Sequence, residues 1–214
     1  QRPDPSTGAV MTPIYTASTY KQESPGVHQG FDYSRSGNPT RKAFEDCMAS
    51  LEEGVAGYGF SSGVAAISAC VELLKPGDHI IAMDDLYGGT VRLFNEIKIK
   101  SQGIKVTYVD MTNIKTIEEA LTPSTKMIFV ETPTNPLLKI VDLKEISNFA
   151  KNNNILSICD NTFASSYVQK PLKFGIDIVL HSATKYLGGH SDLIAGVLVI
   201  GKNDENLINQ MNNI

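Results

Sequence analysis

The chain of 214 residues has no tryptophan, and its three cysteines, Cys47, Cys70 and Cys159, include no Cys-x-x-Cys pair. This pattern argues against a disulfide framework or a zinc site and predicts reduced thiols in the core. No apolar run approaches the ~20 residues that a membrane span requires. The first five residues do not resemble a signal peptide. We therefore expect a cytoplasmic protein.

Basic clusters and nucleotide-binding loops are also missing. The net charge is −4, which argues against nucleic acid as the main partner. The sequence contains neither Gly-x-Gly-x-x-Gly nor a Gly-Lys-Ser/Thr loop, which argues against dinucleotides and nucleoside triphosphates. The composition, 42% hydrophobic and 20% charged, is that of an ordinary domain that can bury a large core.

One lysine stands out by its surroundings. Lys185 follows an apolar run that ends at Leu180, has hydroxyl residues beside it, and precedes the pair Gly188-Gly189, where another group can approach the backbone closely. A protonated lysine is a poor nucleophile, so a lysine used in chemistry is normally desolvated or bonded to a carbonyl cofactor. Taken alone, the pattern is also typical of a surface lysine.

An acidic residue upstream changes that interpretation. Asp160 ends the β-prone run 155–159, and the carboxyl ends of strands are where open α/β sheets bind ligands. The spacing from Asp160 to Lys185 allows one connection and one further strand, so both side chains can emerge at the same edge. An acid at a pyridine nitrogen together with a lysine on an aldehyde carbon is what a pyridoxal 5'-phosphate (PLP) site requires.

With these features, the sequence resembles the Cys/Met-metabolism family of PLP enzymes, which includes cystathionine γ-lyase and cystathionine γ-synthase. The segment 182–192, Ser-Ala-Thr-Lys-Tyr-Leu-Gly-Gly-His-Ser-Asp, matches the family's lysine motif, and the resemblance covers essentially all of the chain. It implies PLP as cofactor and an α/β fold of three layers, α/β/α, on a mostly parallel sheet. This is the large domain of the aspartate aminotransferase-like fold type I.

The alternation of apolar runs predicts the elements of this domain over residues 39–214. We expect strands at 79–83, 105–109, 127–131, 155–159, 176–180 and 193–200. We expect helices at 39–51, 64–74, around 91–100, and at 114–121, 143–151 and 204–211. In the first helix, Asn38 is the predicted N-cap and the predicted apolar stripe comprises Ala43, Cys47, Met48 and Leu51.

Residues 1–38 are predicted to form an extended arm, since they contain four prolines and no helical period. Tyr33 and Arg35 lie two residues apart in it and would project to the same side. The planar arginine side chain suits phosphate oxygens, although a surface salt bridge is the ordinary alternative. The resemblance implies that both residues reach the cofactor phosphate of a neighbouring subunit, in a homo-oligomer expected to be a tetramer of two dimers.

Three further segments have both an ordinary and a functional interpretation. The turn before helix 64–74 can be a simple cap or an anion site at a helix N-terminus. Tyr87 can cover the core or stack on a flat ring, and Asn135 can belong to a proline-rich turn or donate to a phenolate. The resemblance implies the functional interpretations. Its site comprises catalytic Lys185, Tyr87 and Asp160, with cofactor binding by Tyr33, Arg35, Ser62, Gly63, Val64, Tyr87, Asn135, Asp160, Thr162, Ser182, Thr184 and Lys185.

The activity that the resemblance implies is cleavage of cystathionine to cysteine, 2-oxobutanoate and ammonia, with cystathionine γ-synthase and cystathionine β-lyase as alternatives. A serine hydrolase that uses Ser182 and Lys185 as Ser-x-x-Lys is another, although its Ser-Asp-Asn and Lys-Thr-Gly partners are missing. A non-catalytic truncated fragment is a further alternative, because the family's smaller C-terminal domain is not in this chain. We expect no metal site, although His181, His190 and Asp192 could be imagined as ligands.

Overall fold

The computed structural model describes residues 3–201 and 204–214. The strands are, in chain order, β1 (Gln22–Ser24), β2 (Val27–His28), β3 (Ala56–Phe60), β4 (His79–Met83), β5 (Lys105–Val109), β6 (Thr125–Glu131), β7 (Leu156–Asp160), β8 (Ile178–Ser182) and β9 (Gly196–Ile200). The α-helices are α1 (Pro39–Glu52), α2 (Gly63–Glu72), α3 (Gly88–Arg92), α4 (Ile99–Gln102), α5 (Ile114–Ala120), α6 (Leu143–Asn152), α7 (Ser165–Val168), α8 (Pro171–Phe174) and α9 (Glu205–Asn212). A π-helix, Leu93–Lys98, joins α3 to α4.

Seven strands form one mixed sheet in the order β3-β9-β8-β7-β6-β4-β5. The pairs from β8 to β5 are parallel, whereas β9 runs antiparallel to both of its neighbours. Helices connect the parallel strands, as right-handed crossovers require. The predicted α/β class with a mostly parallel sheet is confirmed.

Helices cover both faces of this sheet. Strand β9 shows this because successive side chains of a strand point to opposite faces. Val197 and Val199 pack with Met48 and Ala49 of α1, while Leu198 and Ile200 belong to the larger core on the other face, which includes the apolar side chains of α2. The three-layer arrangement is therefore confirmed.

The parallel register brings several strand ends together. Strands β4, β6, β7 and β8 all run in the same direction, and Glu131 at the end of β6 is the register partner of Asp160 at the end of β7. Because carboxyl ends of parallel strands share one edge, the loops that follow these strands meet there. This edge carries the candidate site.

The predicted elements are present with small differences at some boundaries, and the structure adds elements that were not predicted, among them β3, α7 and α8. Strands β4 and β5 have the predicted bounds, and Asn38 caps α1 by accepting from the backbone N–H groups of Thr40 and Arg41. Strand β3 was not predicted, because its sequence Ala-Gly-Tyr-Gly-Phe contains two glycines, which are poor strand formers. Strand β9 begins at Gly196 instead of 193, and the helix predicted at 91–100 begins at Gly88 and passes through the π-helix.

The predicted buried face of α1 is only partly correct. Met48 is buried as predicted, whereas Cys47 and Leu51 are exposed, and the helix also buries Ala49 and Glu52. The error arises from Glu52, a charged residue that is fully buried because its carboxylate contacts a histidine of the sheet. The prediction of a core thiol is therefore wrong for Cys47, which is exposed. It is correct for Cys70 and Cys159, which are buried.

The arm contains more structure than an extended segment. Strands β1 and β2 form a small antiparallel pair, and Thr19 and Tyr33 form an isolated bridge. The Thr40 hydroxyl at the start of α1 donates to the Pro13 carbonyl at 2.9 Å and accepts from the Tyr15 N–H at 2.8 Å. These bonds attach the arm to the start of α1. Among the helices that the structure describes, none has the length and hydropathy of a membrane span.

Candidate active site

A cavity of about 210 Å³ lies at the carboxyl ends of β6, β7 and β8, beside the first turn of α2. Most of the predicted site residues line it, namely Ser62, Gly63, Val64, Tyr87, Asn135, Asp160, Thr162, Ser182, Thr184 and Lys185. The remaining wall is formed by Ile67, Glu131, Pro133, Phe163 and Ile194. The cavity thus combines a lysine, two carboxyl groups, hydroxyls and an aromatic ring.

Lys185 lies in a tight turn that follows β8. Its N–H donates to the Ser182 carbonyl at 3.2 Å, and its own carbonyl accepts from the Gly189 N–H at 2.9 Å. A Cβ at Gly188 would lie 2.8 Å from the Ala183 carbonyl oxygen, so the turn requires a glycine there. The Lys185 side chain is exposed, and no carboxylate of residues 3–201 or 204–214 forms an ion pair with it. This chain therefore fixes the backbone of Lys185 but does not desolvate its amine.

Asp160 and Ser182 are joined through Thr162. The Asp160 Oδ1 accepts from the Thr162 N–H at 3.0 Å and from the Thr162 hydroxyl at 2.6 Å. The same hydroxyl accepts from the Ser182 N–H at 2.8 Å. The end of β7 is thereby bonded to the end of β8, which orients the carboxylate toward the cavity.

The acidic groups of the cavity hold their protons tightly. Burial raises the pKa of Asp160, although hydrogen bonds from Thr162 and the nearby His181 act in the opposite direction. Burial, and next the charge of Asp160, raise the pKa of Glu131 to about 8. Within residues 3–201 and 204–214, no salt bridge joins either of these two neighbouring carboxyl groups to a lysine or an arginine. A protonated pyridine nitrogen is a cation of suitable size and would lower the pKa of Asp160.

The first turn of α2 lies unusually close to the sheet. A Cβ at Gly63 would be 2.7 Å from the Ser182 Cβ, and a Cβ at Gly196 would be 2.1 Å from the Ser62 carbonyl oxygen. The Ser62 hydroxyl caps the helix by accepting from the Ala65 N–H at 3.1 Å. The N–H groups of Gly63 and Val64 belong to the first helical turn, which has no intrahelical acceptors. They can therefore bind an anion at this end of the cavity.

Tyr87 and Asn135 lie on loops that follow β4 and β6. The Tyr87 ring, 45% exposed, folds against Gly89, where an added Cβ would lie 2.3 Å from the ring. The backbone N–H groups of both residues are hydrogen-bonded to Glu131. Both side chains remain available to a molecule in the cavity.

Tyr33 and Arg35 do not line the cavity. The Arg35 guanidinium lies over the Tyr33 ring, 5.0 Å from its centroid, so the two project to the same side as predicted. Both are exposed, and Arg35 borders a different cleft, between α1 and β3. Of the arm residues that the structure describes, 3–38, none lines the cavity of its own chain.

Sequence reasoning missed Glu131 and a buried network behind Asp160. The Glu52 Oε1 lies 2.6 Å from His181 Nε2 and accepts from the Asn161 side chain at 3.1 Å, and all three side chains are fully buried. The charged residue at the end of the apolar face of α1 was the available signal. The three residues considered as metal ligands do not form one cluster. His181 is buried against Glu52, whereas His190 and Asp192 are exposed.

Comparison with known proteins identifies the family. The model of the family "Cys/Met metabolism PLP-dependent enzyme" matches residues 1–214. The chain belongs to this family. The predicted resemblance to a family of PLP-dependent enzymes is confirmed, and the Ser-x-x-Lys hydrolase is excluded as the family of this chain.

Several relatives are highly similar. The chain is 59% identical to a cystathionine beta-lyase of Coxiella burnetii over 203 residues, 95% of this chain and 52% of that protein. It is 53% identical to a cystathionine gamma-lyase of Bacillus subtilis over 196 residues, 92% of this chain and 52% of that protein. The crystal structure of a cystathionine gamma-lyase from Lactobacillus plantarum, complexed with L-serine, superposes with a TM-score of 0.95 at 50% identity. It covers all of this chain and 55% of the other.

The chain spans about half the length of the curated relatives that it matches. The matching half includes the whole cavity described above, and the structural likeness confirms fold type I. The residues of the cavity fit the family's cofactor, since a pyridine aldehyde requires an acidic group for its ring nitrogen and a lysine for its aldehyde, and the buried Asp160 and the exposed Lys185 both line this cavity.

Proposed function

We propose that the protein carrying this chain is a PLP-dependent carbon–sulfur lyase that cleaves cystathionine. The observation that carries the proposal is the single cavity in which Lys185, Asp160 and Tyr87 meet at the ends of neighbouring strands. When bound, PLP supplies the electron sink that withdraws electrons from the substrate α-carbon. The residues of the chain bind and orient it and move the protons.

Each residue has one proposed task. Lys185 would hold the cofactor carbonyl, and its amine would move protons at the α- and β-carbons of the substrate. Asp160 would hold the ring nitrogen in its protonated form, with Thr162 orienting the carboxylate. Tyr87 and Asn135 would hold the ring. The phosphate would be held by Ser62, Gly63, Val64, Ser182 and Thr184.

The arm has a separate task. Tyr33 and Arg35 would bind the phosphate in a neighbouring subunit, because they lie outside the cavity of their own chain and are exposed. This supports a homo-oligomer with shared sites. In it, residues 1–38 would form an arm that contacts the neighbouring subunit, and residues 39–214 would form the PLP-binding domain. Buried, unpaired Cys70 and Cys159 are compatible with the cytoplasm, where thiols stay reduced.

The proposed reaction is α,γ-elimination. Cleavage of the bond between sulfur and the γ-carbon releases cysteine, and hydrolysis of the remaining four-carbon unit gives 2-oxobutanoate and ammonia. A second candidate is β-elimination, which gives homocysteine, pyruvate and ammonia. The 59% identity to a relative named cystathionine beta-lyase favours this candidate.

Product analysis separates the two reactions. The full-length enzyme is incubated with cystathionine, and separately with cysteine and an O-acyl homoserine. Cysteine and 2-oxobutanoate from cystathionine support the proposal, whereas homocysteine and pyruvate indicate β-elimination. Formation of cystathionine in the second incubation, without cleavage in the first, would replace the lyase by a γ-synthase.

A further inference from the structure

Glu131 lines the cavity but has no task in the proposed function. It is the last residue of β6, beside Asp160 of β7, and it is only 5% exposed. A buried carboxyl group beside another one is costly to the fold, since both resist ionisation. The hydrogen bonds of this side chain indicate which role offsets that cost.

Its two oxygens bond to two different loops. Oε2 accepts from the Tyr87 N–H at 3.0 Å, on the loop that follows β4. Oε1 accepts from the Asn135 N–H at 2.8 Å, on the loop that follows β6 itself. One side chain thus fixes the backbone of two residues that line the cavity, one on each loop.

Asp85 makes the reciprocal connection. It lies on the loop that follows β4, and its Oδ2 accepts from the Leu137 N–H at 3.0 Å and from the Thr134 hydroxyl, both on the loop that follows β6. The loop that follows β4 therefore donates to Glu131 at the end of β6, and the loop that follows β6 donates to Asp85 shortly after β4. Of the two carboxylates, only that of Glu131 lines the cavity.

We propose that Glu131 is a positioning residue, which holds Tyr87 and Asn135 in place for PLP before the cofactor arrives. The proposal rests on the proposed function, since it assigns the cavity to PLP. Preorganised contacts lose less conformational freedom on binding, so they bind more tightly than contacts that must first be ordered. The effect should be visible in cofactor binding itself, without any turnover.

The experiment uses the full-length protein with Glu131→Ala and Glu131→Gln. Three quantities are measured: the Kd of PLP for the cofactor-free protein, the visible circular-dichroism band of the bound cofactor, and the Tm without cofactor. We expect Glu131→Ala to raise the Kd by about tenfold or more, because the two hydrogen bonds that fix the Tyr87 and Asn135 backbones are lost. The dichroism band should weaken, since Tyr87 no longer holds one position.

Glu131→Gln gives the graded comparison. The amide oxygen can accept one backbone N–H, but the amide nitrogen cannot accept the other. We therefore expect a Kd and a dichroism band between those of the wild type and Glu131→Ala. This variant keeps the side-chain volume and decides the matter if Glu131→Ala does not fold.

Asp142→Ala is the matched control. Asp142 also accepts two backbone N–H groups, from Lys144 and Glu145, but it is exposed at the start of α6 and does not line the cavity. Its loss should lower the Tm and leave both cofactor measurements unchanged.

Two results would overturn the inference in distinguishable ways. If the Glu131 variants lower only the Tm, as Asp142→Ala does, Glu131 stabilises the fold and does not position Tyr87 and Asn135. If the wild type takes up no cofactor, the proposed function fails and this inference fails with it. A wild type that carries PLP on Lys185 separates the first result from the second.

Discussion

The cavity and the N-terminal arm are built in opposite ways. In the cavity, Asp160, Thr162 and Ser182 are tied together by hydrogen bonds between neighbouring strand ends. In the arm, Tyr33 and Arg35 are exposed, and the cation–π contact between them is the interaction that joins the two. The cavity is held together by hydrogen bonds within one chain, whereas Tyr33 and Arg35 lie outside it, and we propose that they act on a neighbouring chain.

Because of this difference, we expect substitutions in the cavity and substitutions in the arm to affect different subunits. Changes in the cavity should damage the site of the chain that carries them, and changes in the arm should damage the site of a neighbour. Variants of the two regions therefore test both the assignment of the cavity and the sharing of sites between subunits.

Lys185→Ala should have the largest effect. Loss of the amine removes both covalent cofactor binding and proton transfer, so kcat should fall by about 10⁴-fold or more. Lys170→Ala serves as a control, because Lys170 pairs with Glu53 away from the cavity. The rate of keto-acid formation from cystathionine measures both. Activity of Lys185→Ala close to that of Lys170→Ala would disprove the role of Lys185.

Asp160→Asn should have the next largest effect. The amide cannot keep the ring nitrogen protonated, so the rate should decrease by ~10²–10³ while cofactor binding stays measurable. Because Thr162 can still donate to the amide oxygen, the local structure should persist. Steady-state kinetics and PLP titration test the variant. A rate within a few-fold of that of the wild type would show that Asp160 has only a structural role at the end of β7.

Mixing an arm variant with a cavity variant tests the sharing of sites. Arg35→Ala and Lys185→Ala should each have little activity alone. In a mixed dimer, one site receives both defects and the other receives none. Random exchange should thus restore roughly a quarter of the full activity. Subunit exchange is demonstrated separately, for example by mass spectrometry of tagged subunits. If exchange occurs and activity does not recover, Arg35 acts within its own chain.

The smallest expected effect concerns pH and stability. The pKa of Glu131 is about 8 in the folded chain, against an ordinary 4.5. The folded state therefore holds this proton more tightly than the unfolded state does. Its contribution to stability is complete below the ordinary pKa and is lost as the pH rises toward 8. The loss should amount to a few kcal/mol at most.

Glu131→Gln removes this contribution, since the amide does not titrate. The free energy of unfolding of the cofactor-free variant, measured by urea at several pH values, should change less steeply than that of the wild type as the pH rises. Parallel curves for the two proteins would show that Glu131 is ionised normally in the folded state.

Local patterns predicted the elements that set the site, and tertiary contacts account for the errors. The apolar runs before Asp160 and Lys185 were sufficient to place both residues at one sheet edge, because parallel strands share their direction. The buried face of α1 was predicted only in part, because Glu52 is polar in sequence but contacts His181 inside the fold. Strand β3 escaped prediction because pairing with β9, and not its own glycine-containing sequence, stabilises it.

Glu131 shows the same limit within the site. Its position at the end of an apolar strand gave no hint of function, since its partners are the backbone N–H groups of Tyr87 and Asn135. Every residue except proline offers a backbone N–H, so such contacts leave no signature in the sequence. The resemblance to the family supplied the roles of Tyr87 and Asn135, but not the side chain that holds them.

The most direct test of the central claim is borohydride reduction of the PLP-loaded full-length protein, followed by peptide mapping. The account predicts a yellow protein in which reduction fixes the cofactor on Lys185 at the turn that follows β8. Labelling of Lys139 or Lys170 instead, or a colourless protein that takes up no cofactor, would contradict the assignment of this cavity.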